Sequence, residues 1–184
     1  MIAPSTPYDA KGMLKAAIRD DNPVIFFEHK KLYRSIKEDL PAEEYLADLD
    51  KAAVRTTGSD LTAVSYGFTM GMTLQAAEKM KNDHGINVEC IDLRTLNPID
   101  KDTILNSVAK TNRLVIVQED HRTLGIGSEI AAFVAEEAFD CLDAPILRVA
   151  APDVPAIPFA APLEKFYMPN VEKIMAAMER CVQY

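Results

Sequence analysis

Four short apolar runs, each followed by a helical pattern, constrain the chain most. LTAVSY (residues 61–66), VECIDL (88–93), LVIVQE (114–119) and ILRVA (146–150) are too short for helices and too continuously apolar for strands with one wet face. Strands buried on both sides by intervening helices read this way. Helical stretches at 68–81, 100–109 and 128–142 lie between them, and a last one covers 170–182. On the first, Met70, Leu74, Ala77 and Met80 share one side. The expected fold class is α/β, a three-layer α-β-α arrangement around a mainly parallel sheet.

The first residues form a smaller unit. The pattern reads strand (1–3), helix (7–19), strand (24–29). Thr6 fits an N-cap, Pro7 the first helical position, and Asp9 the position of a capping-box acid. Such a β-α-β piece needs further strands and reads as the tail of another domain. Residues 35–58 are polar, weakly patterned and read as an interdomain connector. The organisation is therefore 1–34, connector 35–58, and main domain 59–184.

Charge and composition exclude several classes. The net charge of −8 opposes nonspecific nucleic-acid or anionic-lipid binding and suits a basic protein partner. No apolar run approaches the roughly 18–20 residues of a membrane span, and no signal-peptide pattern stands at the start. Cys90, Cys141 and Cys181 are scattered and odd in number, as in a cytosolic-type protein with reduced thiols. His29, His84 and His121 are equally dispersed, so no local metal motif exists.

Several stretches invite chemistry. Gly125 and Gly127 follow a strand, but Ile130 replaces the third glycine of a dinucleotide fingerprint, which favours a tight strand-to-helix turn. His121 ends the same strand, where a hydrogen-bonded loop histidine is commoner than an acid/base. Tyr66-Gly67 opens a helix whose N-terminus suits an anion, against the plainer reading of a tight turn. AAIRDDNP (16–23) ends a helix with outward carbonyls. Carbonyls of Ala17 and Ile18 with oxygens of Asp20 and Asn22 suit a hard cation, against an ordinary helix stop before Pro23. Projection of 128–143 as one helix places Glu129, Glu136, Asp140 and Asp143 within about 60° of each other, with Phe133 in the same sector. The stripe is a solvated face or a docking surface with an aromatic anchor.

PSTPYDAKGMLKAAIRDDNPVIFFEHKKLYR (4–34) resembles the end of the pyrimidine-binding domain in the β subunit of thiamine-diphosphate-dependent E1 components of 2-oxo acid dehydrogenase complexes. VSYGFTMGMTLQAAE, VECIDLRTLNPID, VIVQEDHRTLGIGSEIAA and PLEKFYMPN resemble, in order, that subunit's transketolase-type C-terminal domain. The resemblance covers essentially the whole chain. It implies an α2β2 enzyme that decarboxylates a 2-oxo acid, pyruvate or branched-chain, and passes the acyl group to lipoyl-lysine on E2. It implies thiamine diphosphate and magnesium bound by the complete enzyme. The family's cofactor motifs and catalytic β-subunit residues correspond to positions upstream of this stretch. No catalytic or cofactor-binding role therefore transfers to this chain, and the chain alone is expected to be inactive.

By the same resemblance, a potassium ion sits at the helix end, with Ala17, Ile18, Asp20 and Asn22 as ligands. An α subunit, a second β subunit and a small basic E2 domain are the implied partners. Helical geometry nominates Phe133, Glu136, Asp140 and Asp143, with the terminal carboxylate of Tyr184, for E2 docking. The family's usual second glycine is replaced by Leu124, which predicts a different loop conformation. A bacterial-type cytoplasmic location is implied, with the mitochondrial matrix open. The alternatives are a free-standing, non-catalytic module of the transketolase C-terminal fold and a part of a different thiamine-dependent transferase.

Overall fold

The computed structural model describes residues 1–184. The N-terminal segment holds α1 (Pro7–Ile18) and a short α2 (Leu32–Ser35). The main domain runs β1 (Ala53–Thr56), β2 (Leu61–Ser65), α3 (Gly67–His84), β3 (Val88–Asp92), α4 (Lys101–Thr111), β4 (Leu114–His121), α5 (Ile126–Glu137), β5 (Leu147–Ala151), α6 (Ala161–Tyr167) and α7 (Val171–Val182). No helix is long and apolar enough to cross a membrane.

The five strands lie in the order β1-β3-β2-β4-β5, all parallel except β1, which runs antiparallel to β3. Alternating residues of the strands feed opposite faces, the period-two consequence of the pleat. Leu61, Ala63, Val88, Cys90, Val115 and Val117 pack with Met70, Met80, Ile174 and Met178 of α3 and α7. Val64, Ile91, Leu114 and Ile116 pack with Ile104, Val108, Ile130 and Phe133 of α4 and α5. The arrangement is the three-layer α/β sandwich that the apolar runs imply. Thr62, polar yet fully buried, is satisfied by the hydroxyls of Ser107 at 2.7 Å and Thr111 at 2.6 Å on α4.

Helix boundaries follow their chemistry. Thr6 accepts the Asp9 N–H at 3.1 Å and Pro7 opens α1. Asp100 caps α4 and Asn170 caps α7 through N–H groups three residues on. Gly85, in the left-handed region at φ 71, closes α3.

Two expectations are corrected. The strands expected at 1–3 and 24–29 reduce to isolated bridges: Ile2 pairs in parallel with Phe26 and antiparallel with Thr95. Residues 35–58, expected as an interdomain connector, contain edge strand β1 and pack along α1. Tyr45 stacks on Tyr8 at 4.4 Å, and Ala47 joins Ile2 and Met13 in a small core. The helix expected over 128–142 ends at Glu137. Ala138 leaves helical geometry (φ −139, ψ 24) and a 3₁₀ turn follows at Phe139–Cys141. The cause is the neighbouring turn after α4. The Asn112 side chain donates to Cys141 O at 2.7 Å, and Asp143 N–H donates to Asn112 O at 2.8 Å.

Candidate functional site

A cleft of about 1130 Å³ opens over the C-terminal ends of β2 and β4. The chain leaves β2 for β3 on one side and returns to β4 on the other, so this is the topological switch point of the sheet. The cleft lies between the N-terminal segment and the main domain. His29, from the former, stacks on Phe68 of α3, with ring centroids 4.7 Å apart at 9°. Its Nε2 lies 3.2 Å from a Glu119 oxygen on β4. His121 Nδ1 lies 3.3 Å from Asp120 Oδ1, and Nε2 lies 3.2 Å from the Tyr167 hydroxyl. These contacts tie His121, the last residue of β4, to Tyr167 of α6. Burial, then the charges of Asp120 and Glu119, push the Tyr66 hydroxyl up to about 12.

The Gly125–Gly127 turn is filled by a side chain of this protein. Gln118, 2% exposed, accepts the Gly127 N–H at 2.6 Å and donates to His121 O at 2.6 Å. A Cβ on Gly125 would meet the Gln118 carboxamide at 1.9 Å, and one on Gly127 would meet it at 2.6 Å. The two glycines make room for Gln118 beneath the turn. Leu124 takes the left-handed conformation (φ 63) that glycine adopts without strain, and its side chain is 96% exposed.

The four residues of the helix end lie together. Arg19 N–H donates to Ala16 O at 3.0 Å and Asp20 N–H to Ala17 O at 3.3 Å, closing α1. Asp20 Oδ1 accepts the Asn22 backbone N–H at 2.8 Å and its side-chain N–H at 3.0 Å. Those two bonds hold the Asp20 carboxyl below the usual range. The turn leaves the Ile18 carbonyl, Asp20 Oδ2 and Asn22 Oδ1 directed at no donor of this chain. Hard oxygens at the negative end of a helix fit a monovalent cation in type.

Glu129, Glu136, Asp140, Asp143 and Tyr184 are exposed, but they do not form one helical stripe. The helix stops before Asp140 and Asp143. Phe133 is not a surface anchor: it is 2% exposed, packed in the core, with Lys101 Nζ 4.9 Å from its ring centroid. Phe139, 70% exposed on the 3₁₀ turn, is the aromatic that lies at the surface there. Cys181 Sγ approaches Leu114 O at 3.9 Å, while Asp143 bonds Asn112, so Asp143 and the end of α7 flank the same turn before β4.

Comparison with known proteins fixes the family. The model of the transketolase C-terminal domain matches residues 50–174, and that of the transketolase pyrimidine binding domain matches residues 1–36. The chain belongs to the transketolase C-terminal domain family. The 2-oxoisovalerate dehydrogenase subunit beta of Bacillus subtilis (strain 168) is 46% identical over 184 residues, all of this chain and 56% of the relative. The pyruvate dehydrogenase E1 component subunit beta of the same organism is 44% identical over the same span. The chain spans about half the length of the curated relatives it matches. A solved split-gene transketolase, described as an inactive beta4 tetramer, shares the fold with a TM-score of 0.79 and 23% identity, over 99% of this chain and 56% of that one.

The glycine turn does not fit a diphosphate, because Gln118 occupies it. No chemical step is assigned to this chain's residues. Sequence reading missed Arg55, Gln118 and Phe139. Arg55 lay in the expected connector, Gln118 lay inside the LVIVQE run, and Phe139 lay on a helix projected past its end.

Proposed function

We propose that the chain works as the C-terminal part of the β subunit of a 2-oxo acid dehydrogenase E1, supporting α2β2 assembly and recruitment of E2 rather than supplying catalytic groups. The observation that carries this reading is identity of 44–46% along the entire chain to β subunits of pyruvate and 2-oxoisovalerate dehydrogenases. The complete enzyme, in the cytoplasm of a bacterial-type cell, would bind thiamine diphosphate and magnesium and act on a 2-oxo acid. The test is co-expression with the α subunit, followed by light scattering of the purified species. A stable α2β2 mass supports the reading. A chain that stays free of α in every preparation sinks it in favour of a free-standing module.

Two parts of the reading concern this chain's own residues. The turn at Ala17, Ile18, Asp20 and Asn22 holds potassium. An ion at 100 times its dissociation constant adds about 2.7 kcal/mol to the folded state. Potassium chloride should therefore raise the melting temperature above that in choline chloride at equal ionic strength. Equal melting in both salts counts against the site. The E2 domain docks on Glu136, Asp140, Asp143 and Tyr184, with Phe139 as the apolar contact. Rim charges mainly speed encounter, so Asp140→Asn should slow association with a basic E2 domain. An unchanged rate in surface plasmon resonance at low salt places the surface elsewhere.

A further inference from the structure

The stretches PSTPYD (4–9) and DLRT (92–95) meet in the structure. Ser5 donates to Asp92 Oδ2 across 87 residues of sequence. Arg55 of β1 donates to Asp92 Oδ2 through Nε at 3.1 Å and Nη2 at 2.7 Å, and Nη2 also binds Asp9 Oδ2. Arg94 Nη1 donates to Asp9 Oδ1 at 3.0 Å, while its Nε and Nη2 hold the Lys51 carbonyl at 3.0 and 2.6 Å. Thr6 donates to Asp9 Oδ2 at 2.9 Å. The backbone repeats the contact, with Ala3 N–H on Arg94 O at 2.7 Å and Leu96 N–H on Met1 O at 2.8 Å. Asp9 is 1% exposed and Asp92 is fully buried.

Two acidic and two basic side chains close this cluster, drawn from α1, β1, the end of β3 and the turn after it. The apolar core under the N-terminal segment is small, consisting of Ile2, Met13 and Ala47. Burying a carboxylate without its partner is far more costly than leaving the whole pair in water. Any half-open arrangement would separate a buried Asp from the guanidinium it shares. Arg94 also holds φ 56, a left-handed backbone that a non-glycine residue keeps only when its surroundings enforce it.

We propose that Asp9, Arg55, Asp92 and Arg94 form a latch that makes attachment of the N-terminal segment to the main domain all-or-none, with Arg55 as the shared cation. The latch sets the register of α1, and hence of the turn at its end, against the sheet. It stands on this geometry and is independent of the reading under Proposed function.

The test is hydrogen–deuterium exchange on the full chain, comparing α1 amides with those of β2 and β4. In Arg55→Met, α1 exchange should rise about tenfold or more while β2 and β4 stay within about twofold, as for a local opening. Arg55→Lys should fall between, because ammonium retains the charge but lacks the fork that serves both carboxylates. Asp9→Asn combined with Arg55→Met should open α1 no further than Arg55→Met alone. If Arg55→Met fails to fold, the same contrast is read from Arg55→Lys. Unchanged α1 exchange, or an equal rise in α1, β2 and β4, overturns the latch.

Discussion

The central sheet and the joint beneath α1 are held by opposite chemistry. Around β2 and β4, the strands are apolar on both faces, and Leu61, Ala63, Val64, Leu114, Val115 and Val117 are fully buried. At the joint, buried carboxylates are held by half-buried guanidiniums, and the fully buried apolar core is only Ile2, Met13 and Ala47. Apolar burial is non-directional and additive, so the sheet tolerates loss of one contact in proportion to the atoms removed. Charge burial is directional, so the joint tolerates loss of one partner poorly and loss of both far better. The sheet therefore sets how stable the domain is. The joint sets where the other segment sits.

The largest expected effect breaks the sheet. Ile116, 2% exposed on β4, packs between α4 and α5. Ile116→Ala should cost about 2–5 kcal/mol. The loss should show as a lower urea midpoint with exchange rising in β2, β3 and β4 together. A loss confined to the N-terminal segment would mean that the sheet and joint are not separable in this way.

Next is the turn where strand packing meets polar bonding. A Cβ on Gly127 would meet Gln118 Oε1 at 2.6 Å and Ile116 Cγ2 at 3.0 Å. Gly127→Ala should cost about 1–3 kcal/mol through overpacking. Thermal melts of Gly127→Ala and of Gly127→Ala with Gln118→Ala separate the causes. The double variant should lose less than the sum of the two single losses. Simple additivity would show that Gln118 is not what the glycines accommodate.

The same contrast explains what the sequence made legible. The three-layer sheet followed from the apolar runs because period and burial are local properties. The caps at Thr6, Asp100 and Asn170 were equally local, and Thr6 and Pro7 were read correctly. Arg55 was not legible, because β1 is an edge strand with only half-buried positions (Ala53, Arg55) alternating with exposed ones. Nothing within its own few residues marks it as the partner of Asp9 and Asp92, 46 and 37 positions away. Phe133 was misplaced for a related reason. A 100° projection gives a residue's sector on a helix, but it does not show which sector faces the sheet or where the helix ends. Asn112, on the neighbouring turn, decides the end of α5 through its bonds to Cys141 and Asp143.

A smaller effect sharpens the comparison through pH. Burial pushes the Asp100 carboxyl up, but bonds from Thr103 and the Ala52 N–H, with the Lys51 charge, outweigh it and hold it below the usual range. Asp9 is likewise lowered, burial being outweighed by Arg55, Arg94 and Thr6. A folded-state pKa below the unfolded value near about 3.9 contributes stability above that pH, and the contribution is lost as pH falls through the folded value. Burial leaves Asp92 raised, so its contribution has the opposite sign. Asp100→Ala should therefore cost about 1 kcal/mol at neutral pH, as for loss of an N-cap. In acid below the Asp100 titration, it should cost less. Thermal melts in neutral and acid buffer check this, and an equal cost in both would assign the effect to packing rather than charge.

The smallest effect lies at Leu124, which neither region holds. Its left-handed backbone costs a leucine about 1–2 kcal/mol relative to a relaxed conformation. Glycine removes that strain but frees the unfolded chain, which costs about 0.4–1 kcal/mol. With the side chain 96% exposed, no burial within the chain is lost. Leu124→Gly should therefore leave the free chain unchanged or more stable, by about 1.6 kcal/mol at most. In a domain of this size that raises the melting temperature by no more than about 6 °C. A clear fall in melting temperature would mean that the leucine side chain packs in solution. An unchanged melt with weakened assembly into a larger complex would instead make Leu124 a contact for a partner.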